Sequence, residues 1–413
     1  MPERYWVETL GCPKNQVDSD KLTGTLLAEG LAPADSPADA DLVVVNTCAF
    51  IEAARQESVD TVLALADVRR PGSRLVVTGC LAERYGDELV AALPEADAVA
   101  GFGVALTGPS GADRPVPSLD LLNLPRPQAA APWAYVKVAE GCDRACGFCA
   151  IPSFRGAQRS RTEASILEEV DALDVAEVVL VAQDLASYGR DLGRKGAIVP
   201  LIEAVSRRVR RVRVLYLYPS ELDDALVDAL CATGVPYFDL SLQHVSRPLL
   251  RRMKRWGDGP RFRDRIASIR AREPDAAFRS SFIVGYPGET EDDHDQLLRF
   301  VEEVELDWGG FFAYSREEGT YAATLDGVVD PHLVCERLLE LGELQDRITA
   351  ARRAALIGRR VEVLVDEPGT GRTHREAPEI DGVVNLAEGA LPGTFRECRV
   401  VGASGPDLDA SVA

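Results

Sequence analysis

The stretch Ala134-Tyr135-Val136-Lys137-Val138-Ala139-Glu140-Gly141-Cys142-Asp143-Arg144-Ala145-Cys146-Gly147-Phe148-Cys149 decides the fold. Its first five residues read as a buried strand, and three cysteines follow with C-x3-C-x2-C spacing. Further apolar strands are expected at 178–181, 212–217, 238–242, 278–284 and 308–312, with helices between them at, for example, 165–173, 222–232 and 292–304. Six strand–helix units make an incomplete version of the eight-unit parallel barrel, whose active sites lie at the C-terminal ends of the strands. The cysteine loop therefore sits at the catalytic end. Three thiolates on one tight loop suit three irons of a 4Fe–4S cluster and leave the fourth iron open to a substrate or cofactor. Structural zinc takes four closed ligands, and the sequence offers no fourth Cys or His nearby.

Working outward towards the N-terminus, strands are expected at 5–10, 41–46 and 74–78, alternating with helices at 17–29, 52–67 and 82–93. Strands alternating with helices imply a parallel sheet with crossover connections. Between 101 and 132 the pattern dissolves into Gly108, Pro109, Pro115, Pro117, Pro125, Pro127 and alanines, which read as a linker. Beyond a long helix at 333–356, the alternation at 361–365 and the spacing of Gly369, Gly371, Gly382, Gly389, Gly393 and Gly402 predict a small all-β barrel.

Three more cysteines share one setting. Cys12, Cys48 and Cys80 each end a strand of the N-terminal domain, as Leu10-Gly11-Cys12, Asn46-Thr47-Cys48 and Thr78-Gly79-Cys80. In a parallel sheet the strand C-termini share one edge, where ligands bind, so the three converge. A second cluster with an open iron is the natural reading. Cys231, Cys335 and Cys398 have no such setting and are expected to be core or surface residues.

Composition excludes several classes. Among 413 residues, acids outnumber bases 66 to 46, a net charge of −20, which repels nucleic-acid phosphate at long range. No run approaches the length of a membrane span. The N-terminus lacks a basic-then-apolar signal pattern, so a cytoplasmic location is expected, where nine cysteines favour metal or catalytic roles over disulfides. Four scattered histidines offer no H-E-x-x-H pair, and neither a dinucleotide fingerprint nor a phosphate loop is present.

The cysteine loop on a partial barrel resembles the radical S-adenosylmethionine enzymes. With the three N-terminal cysteines and the C-terminal β module, the whole chain is similar to the methylthiotransferases. Segments carrying the likeness are Gly11-Cys12-Pro13-Lys14-Asn15 with Val17-Asp18-Ser19, Cys149 to Gly156, Ala182-Gln183-Asp184, Ser241-Leu242-Gln243-His244 and Tyr314 to Thr320. The resemblance implies an α/β chain of three domains. These are a doubly wound methylthiotransferase domain over 3–115, a partial (β/α)6 radical SAM barrel over 128–356 and a TRAM barrel over 357–413. One branch of the family modifies a tRNA adenosine beside the anticodon and typically reads Gly-Cys-Gln-Met-Asn at the first cysteine. The form found here resembles the other branch, which modifies an aspartate of small-subunit ribosomal protein S-twelve.

The resemblance further implies two 4Fe–4S clusters. Cys142, Cys146 and Cys149 would hold the one that binds and cleaves S-adenosylmethionine. Cys12, Cys48 and Cys80 would hold an auxiliary cluster that presents or supplies the methylated sulfur to the β-carbon of the aspartate. Expected S-adenosylmethionine contacts are Gln183, Asp184 and Gln243 at strand ends, Gly285 near the adenine and Arg155 against the carboxylate. Expected partners are S-twelve or the ribosome and a low-potential electron donor such as flavodoxin or ferredoxin.

Charge bears on the substrate. Residues 1–100 carry a net −9 and residues 357–413 a net −4, which suits a basic protein partner better than RNA. The stretch 247–265 runs the other way, with eight bases against Asp258 and Asp264; it reads as a contact for ribosomal RNA or as a solvated helix face. Two other functions fit the cysteines: methylthiolation of tRNA, or a non-catalytic module in which metal braces an acidic docking surface.

Overall fold

The computed structural model describes residues 3–107, 119–387 and 389–412. Gly108, Pro109, Pro115 and Pro117 of the expected linker, and the domain boundary expected at 115, lie outside the described residues.

The N-terminal layer runs β1 (Arg4–Thr9), α1 (Pro13–Ala28), β2 (Ala32–Pro33), β3 (Leu42–Thr47), α2 (Glu52–Val68), β4 (Arg74–Gly79), α3 (Cys80–Ala92) and β5 (Ala98–Val99). Its strands form one parallel sheet in the order 2-1-3-4-5. This is a doubly wound arrangement whose ligand crevice opens outside the strand C-termini at the β1/β3 switch point. Six consecutive buried residues in β3 mark it as the central strand, covered on both faces. Helix α1 begins four residues before the expected position. Pro13 opens it, where the missing N–H costs nothing, and the Cys12 carbonyl accepts from Asn15 N at 2.8 Å.

The central unit supplies β6 (Trp133–Lys137), β7 (Ala139–Glu140), α4 (Ile151–Arg155), β8 (Arg159–Ser160), α5 (Glu163–Leu173), β9 (Glu177–Val181), α6 (Ile198–Ser206), β10 (Arg211–Val214), α7 (Asp224–Cys231), β11 (Tyr237–Gln243), α8 (Arg247–Arg252), α9 (Gly259–Arg272), β12 (Ala277–Val284), α10 (Glu291–Val304), β13 (Trp308–Ala313) and α11 (Pro331–Ala354). Two parallel triplets, β6-β9-β10 and β11-β12-β13, meet at a bridge between Leu217 and Leu240, giving six strands of an open barrel. Strand β10 ends at Val214, short of the expected 217, because Tyr216 adopts φ +65° and turns the chain out of the ladder. The expected linker is packed at its described C-terminal end. Leu121 and Leu122 are buried, and Lys21 Nζ donates to the Leu124 carbonyl at 2.9 Å.

The C-terminal unit is a closed barrel of β14 (Arg360–Glu367), β15 (Thr370–Arg372), β16 (Val384–Leu386), β17 (Phe395–Ser404) and β18 (Asp407–Val412), in the order β14-β15-β16-β18-β17. The segment between β15 and β16 enters the bottom of the larger barrel. Ala377 is fully buried among Tyr135, Val179, Leu215, Tyr237 and Trp308. Its neighbours saturate the polar groups there: Tyr135 Oη donates to the Pro378 carbonyl at 3.0 Å, Trp308 Nε1 to the Arg375 carbonyl at 2.7 Å and Tyr237 Oη to Asp381 at 2.6 Å. Glu177, fully buried, accepts from Arg213 at 2.8 Å and from Arg372 at the end of β15 at 3.3 Å. Among the described residues no helix is long and apolar enough to cross a membrane.

Candidate functional site

Cys12 lies just beyond β1, Cys48 directly follows β3 and Cys80 directly follows β4, so the first two flank the switch point of the sheet. Two glycines make the convergence possible. Gly11 has φ +96°, and a Cβ there would lie 2.8 Å from the Cys48 Cβ and 3.0 Å from its sulfur. Gly79 has φ +91° and packs its α-carbon against Asn46 and Thr47 of β3. Asn15, fully buried, holds the crossing point, donating to the carbonyls of Leu10 at 2.8 Å and Thr47 at 3.1 Å.

The three thiols differ. Burial works against ionisation of Cys12, but the charges of Lys14 and Arg155 and the N–H groups of Asn15 and Lys14 outweigh it and lower its pKa. Burial pushes Cys48 up to about 11 and raises Cys80 as well. Cys48 also feels the charges of Cys80 and Cys12, and Cys80 that of Cys12.

The second triad sits on the loop after β6 and β7. Cys142 N donates to the Gly156 carbonyl at 3.1 Å and Cys149 N to the Cys146 carbonyl at 3.2 Å, which folds the loop on itself. Gly147 docks it onto the rim of the barrel, its N–H on the Met253 carbonyl at 2.8 Å and its own carbonyl on Ala322 N at 2.7 Å. Arg255 Nη1 lies 3.3 Å from the Cys146 sulfur, and Arg144 N lies 3.4 Å from that of Cys142. Burial pushes Cys142 up to about 11 and Cys149 to about 12. Among the described residues no three His, Cys, Asp or Glu groups close on one point as ligands of a single ion would. In a cubane each thiolate takes its own iron and stands farther from its neighbours. Donors aimed at sulfur, from Arg155, Arg255 and the Arg144 backbone, fit thiolate ligands of that kind.

One buried network joins the two triads. Arg155 Nη1 meets both oxygens of Glu140 at 2.8 and 2.9 Å. Its Nη2 donates to Asn15 Oδ1 at 2.7 Å and to the Cys80 sulfur at 3.0 Å, and its plane lies over Phe102. Lys137, fully buried, reaches Glu140 at 2.7 Å and also pairs with Asp18 of α1. Burial opposes ionisation of Glu140, yet Arg155 and Lys137 hold its carboxyl well below the usual range. A second bridge across the domains places Glu317, from the loop after β13, on Arg84 at 2.7 Å and on Arg55.

The expected S-adenosylmethionine contacts separate into two groups. Gln183 and Asp184 stand at the end of β9. Gln183 Nε2 donates to Glu140 at 2.6 Å, and Asp184 accepts from Arg144 at 2.5 Å and Ser187 at 2.6 Å. Each keeps one buried oxygen without a hydrogen-bond partner among the described residues, Gln183 Oε1 and Asp184 Oδ1. Gln243 leaves β11 at φ +69°, at a bulge against β12. Arg155 lies elsewhere: its fork is filled by Glu140, Asn15 and Cys80. Gly285 does not open onto a ligand either, because Val334 of α11 packs where its Cβ would be and its N–H is held by Glu289 at 2.6 Å. Glu140, Lys137 and Arg144 had no expected role, and Arg255 was expected only as one of the bases of the stretch 247–265. Asn15, Asp18 and Glu317 lie inside segments quoted for the resemblance, which is the one sequence signal that pointed near them. A cleft of about 640 Å³ among Arg279, Trp308, Gln345 and Asp381 opens at the N-terminal end of the strands, away from all six cysteines.

The incomplete barrel with its cysteine loop defines a radical S-adenosylmethionine enzyme, and the radical SAM superfamily matches residues 136–301. The family UPF0004, described as uncharacterized, matches residues 4–101, and the TRAM domain matches residues 357–413. The chain belongs to the RimO family of methylthiotransferases. It is 42% identical, over 98% of its length and 97% of the relative's, to the ribosomal protein uS12 methylthiotransferase RimO of Cutibacterium acnes. The RimO of Anaeromyxobacter sp. is also 42% identical, over 99% of this chain and 93% of that protein. Among solved structures, the radical S-adenosylmethionine methyltransferase TsrM from Kitasatospora setae matches with a TM-score of 0.52 at 15% identity, covering 75% of this chain and 72% of that one. That likeness concerns the fold alone.

Proposed function

We propose that the chain methylthiolates the β-carbon of an aspartate in ribosomal protein uS12, with S-adenosylmethionine as radical source and methyl donor. The observation that carries this reading is the arrangement of two cysteine triads on separate domains, joined through the buried link Arg155–Glu140. The relatives at 42% identity carry the name of that activity.

In this reading Cys142, Cys146 and Cys149 hold a 4Fe–4S cluster and Cys12, Cys48 and Cys80 a second, auxiliary one. When bound, the first supplies the electron that cleaves S-adenosylmethionine to a 5′-deoxyadenosyl radical, chemistry that no side chain provides. The protein positions the parts. Asp184 and Gln183 offer their free oxygens to the bound S-adenosylmethionine, and Gln243 borders the same edge. Arg255 and the Arg144 backbone stabilise thiolate at Cys146 and Cys142, as Arg155 does at Cys80. Arg155 serves the auxiliary triad, in place of the carboxylate contact expected for it. Glu140, gripped by Arg155 and Lys137 and touching Gln183, fixes the distance between the triads. Domain limits at 3–115, 128–356 and 357–413 and a cytoplasmic location belong to the same reading.

The test is mass spectrometry of uS12 from a strain lacking this gene. Loss of the methylthio group from the aspartate, restored by complementation, is expected; an unchanged uS12 mass overturns the reading. Brown, iron-loaded protein purified without oxygen is expected, and colourless zinc-loaded protein would indicate a metal-braced binding module.

A further inference from the structure

We propose that the cationic patch formed by Arg247, Arg251, Lys254 and Arg261, with the exposed aromatics Trp256 and Tyr321, is the docking surface for an acidic one-electron flavoprotein that reduces the cluster on the Cys142 loop. The inference rests on the reading that Cys142, Cys146 and Cys149 hold that cluster.

The segment 247–265 carries a net +6 on a chain whose total charge is −20. Arg247 and Arg251 stand one helical turn apart on α8, on one face, and Lys254 follows at φ +55°. All three are exposed and make no carboxylate contact among the described residues. Lys254 Nζ lies 3.9 Å over the Tyr321 ring, and Arg261 lies 5.7 Å over Trp256 and 3.7 Å from Asp258. Trp256 and Tyr321 keep 43% and 42% of their surface in solvent.

This island lies against the cluster loop. Between Lys254 and Trp256 stands Arg255, buried, with Nη1 3.3 Å from the Cys146 sulfur. Met253 accepts from Gly147 N at 2.8 Å, and Cys146 itself is only partly buried. Arg255 thus ties the segment that carries the patch directly to a ligand sulfur. A basic substrate protein is repelled by the patch, whereas an acidic partner is steered to it. Two exposed aromatics beside the cations suit the ring edge of a flavin. In the step itself one electron leaves the reduced flavoprotein and enters the oxidised cluster; no bond is made or broken.

The experiment follows cluster reduction in the holoenzyme by rapid mixing with a reduced bacterial flavodoxin, comparing wild type with the triple variant Arg251→Glu, Lys254→Glu, Arg261→Glu. The expected result is a rate at least about tenfold lower in the variant at low salt, with the difference shrinking as salt rises. Reduction by dithionite, which needs no docking, is expected to be equal in the two proteins. Equal flavodoxin rates overturn the proposal. So does a variant that is reduced normally by flavodoxin but loses affinity for a ribosomal RNA fragment, which would make the patch an RNA contact. Wild-type protein with no dithionite-reducible cluster overturns the cluster reading on which the proposal stands.

Discussion

Arg155 donates to the Cys80 sulfur at 3.0 Å while gripping both oxygens of Glu140 at 2.8 and 2.9 Å. Cys80 closes a strand of the N-terminal sheet and Glu140 opens the loop that carries Cys142, so one planar side chain spans the two cysteine sites. Lysine is a point charge and cannot serve both directions at once. Arg155→Lys is therefore expected to keep the fold and the iron on the Cys142 loop but to alter the auxiliary cluster. Loss of a hydrogen bond to sulfur should lower its potential. Electron paramagnetic resonance with potentiometry checks this, and an unchanged auxiliary signal would mean that the contact is only structural. Arg155→Met, which leaves Glu140 and Asp18 with Lys137 as their shared cation and Cys80 without its donor, is expected to cost about 1–3 kcal/mol.

The two triads should be separable. Replacing Cys142, Cys146 and Cys149 with Ala is expected to abolish S-adenosylmethionine cleavage and to halve the iron, from about eight to about four per chain. Replacing Cys12, Cys48 and Cys80 should also halve the iron yet spare cleavage, while sulfur insertion fails. Iron analysis and 5′-deoxyadenosine formation distinguish the two. Full methylthiolation by the second variant would remove the auxiliary site from the scheme.

Glu177 gives a pH prediction away from the cysteines. Burial raises its pKa, but Arg213, Arg372 and Arg211 outweigh that and hold it at about 2, against an ordinary 4.5. A depressed folded value means that its stabilisation is complete above the unfolded value and is lost as pH falls from about 4.5 towards 2. The amount at stake is roughly 3 kcal/mol. Between pH 5 and 3 the wild type should therefore lose more stability than Glu177→Gln in denaturant titrations of the two proteins side by side. Parallel curves would show that the carboxylate is not coupled to folding.

The cysteine sites were legible because their logic is local. A parallel sheet brings its strand C-termini to one edge, so Cys12, Cys48 and Cys80 had to approach one another once the strands were recognised. The loop of Cys142, Cys146 and Cys149 carries its geometry in its own spacing. Arg155 was misjudged for the opposite reason. Its partners Asn15 and Asp18 lie more than a hundred residues away on another domain, and only interdomain packing decides that its fork is filled. Gly285 has the positive φ that a ligand-hugging turn would need, but Val334 from a distant helix uses the space. The strand alternation of the C-terminal module predicted a barrel, and nothing in that alternation announced that the segment around Ala377 would enter a second one.

That insertion changes what loss of the C-terminal module should do. If the module were an appended substrate-binding lobe, a chain ending at residue 356 would fold and bind both clusters. The structure predicts otherwise. Truncation would strip Tyr135, Tyr237 and Trp308 of their hydrogen-bond partners and expose the apolar floor of the barrel around Ala377. It would also leave Arg353, whose side chain is 4% exposed and paired with Glu376, without its carboxylate. Each stranded buried polar group costs about 1–3 kcal/mol, and the four together are comparable to the roughly 5–15 kcal/mol stability of a typical domain. The truncated chain is expected to be insoluble or to melt far below the full chain. The point variant Ala377→Asp, which places an unpaired charge in the same floor, should reproduce much of that loss with the module intact. Thermal unfolding of both, followed by circular dichroism, checks the relation. A truncated chain with an unchanged melting temperature and a full complement of iron would show that the plug is dispensable.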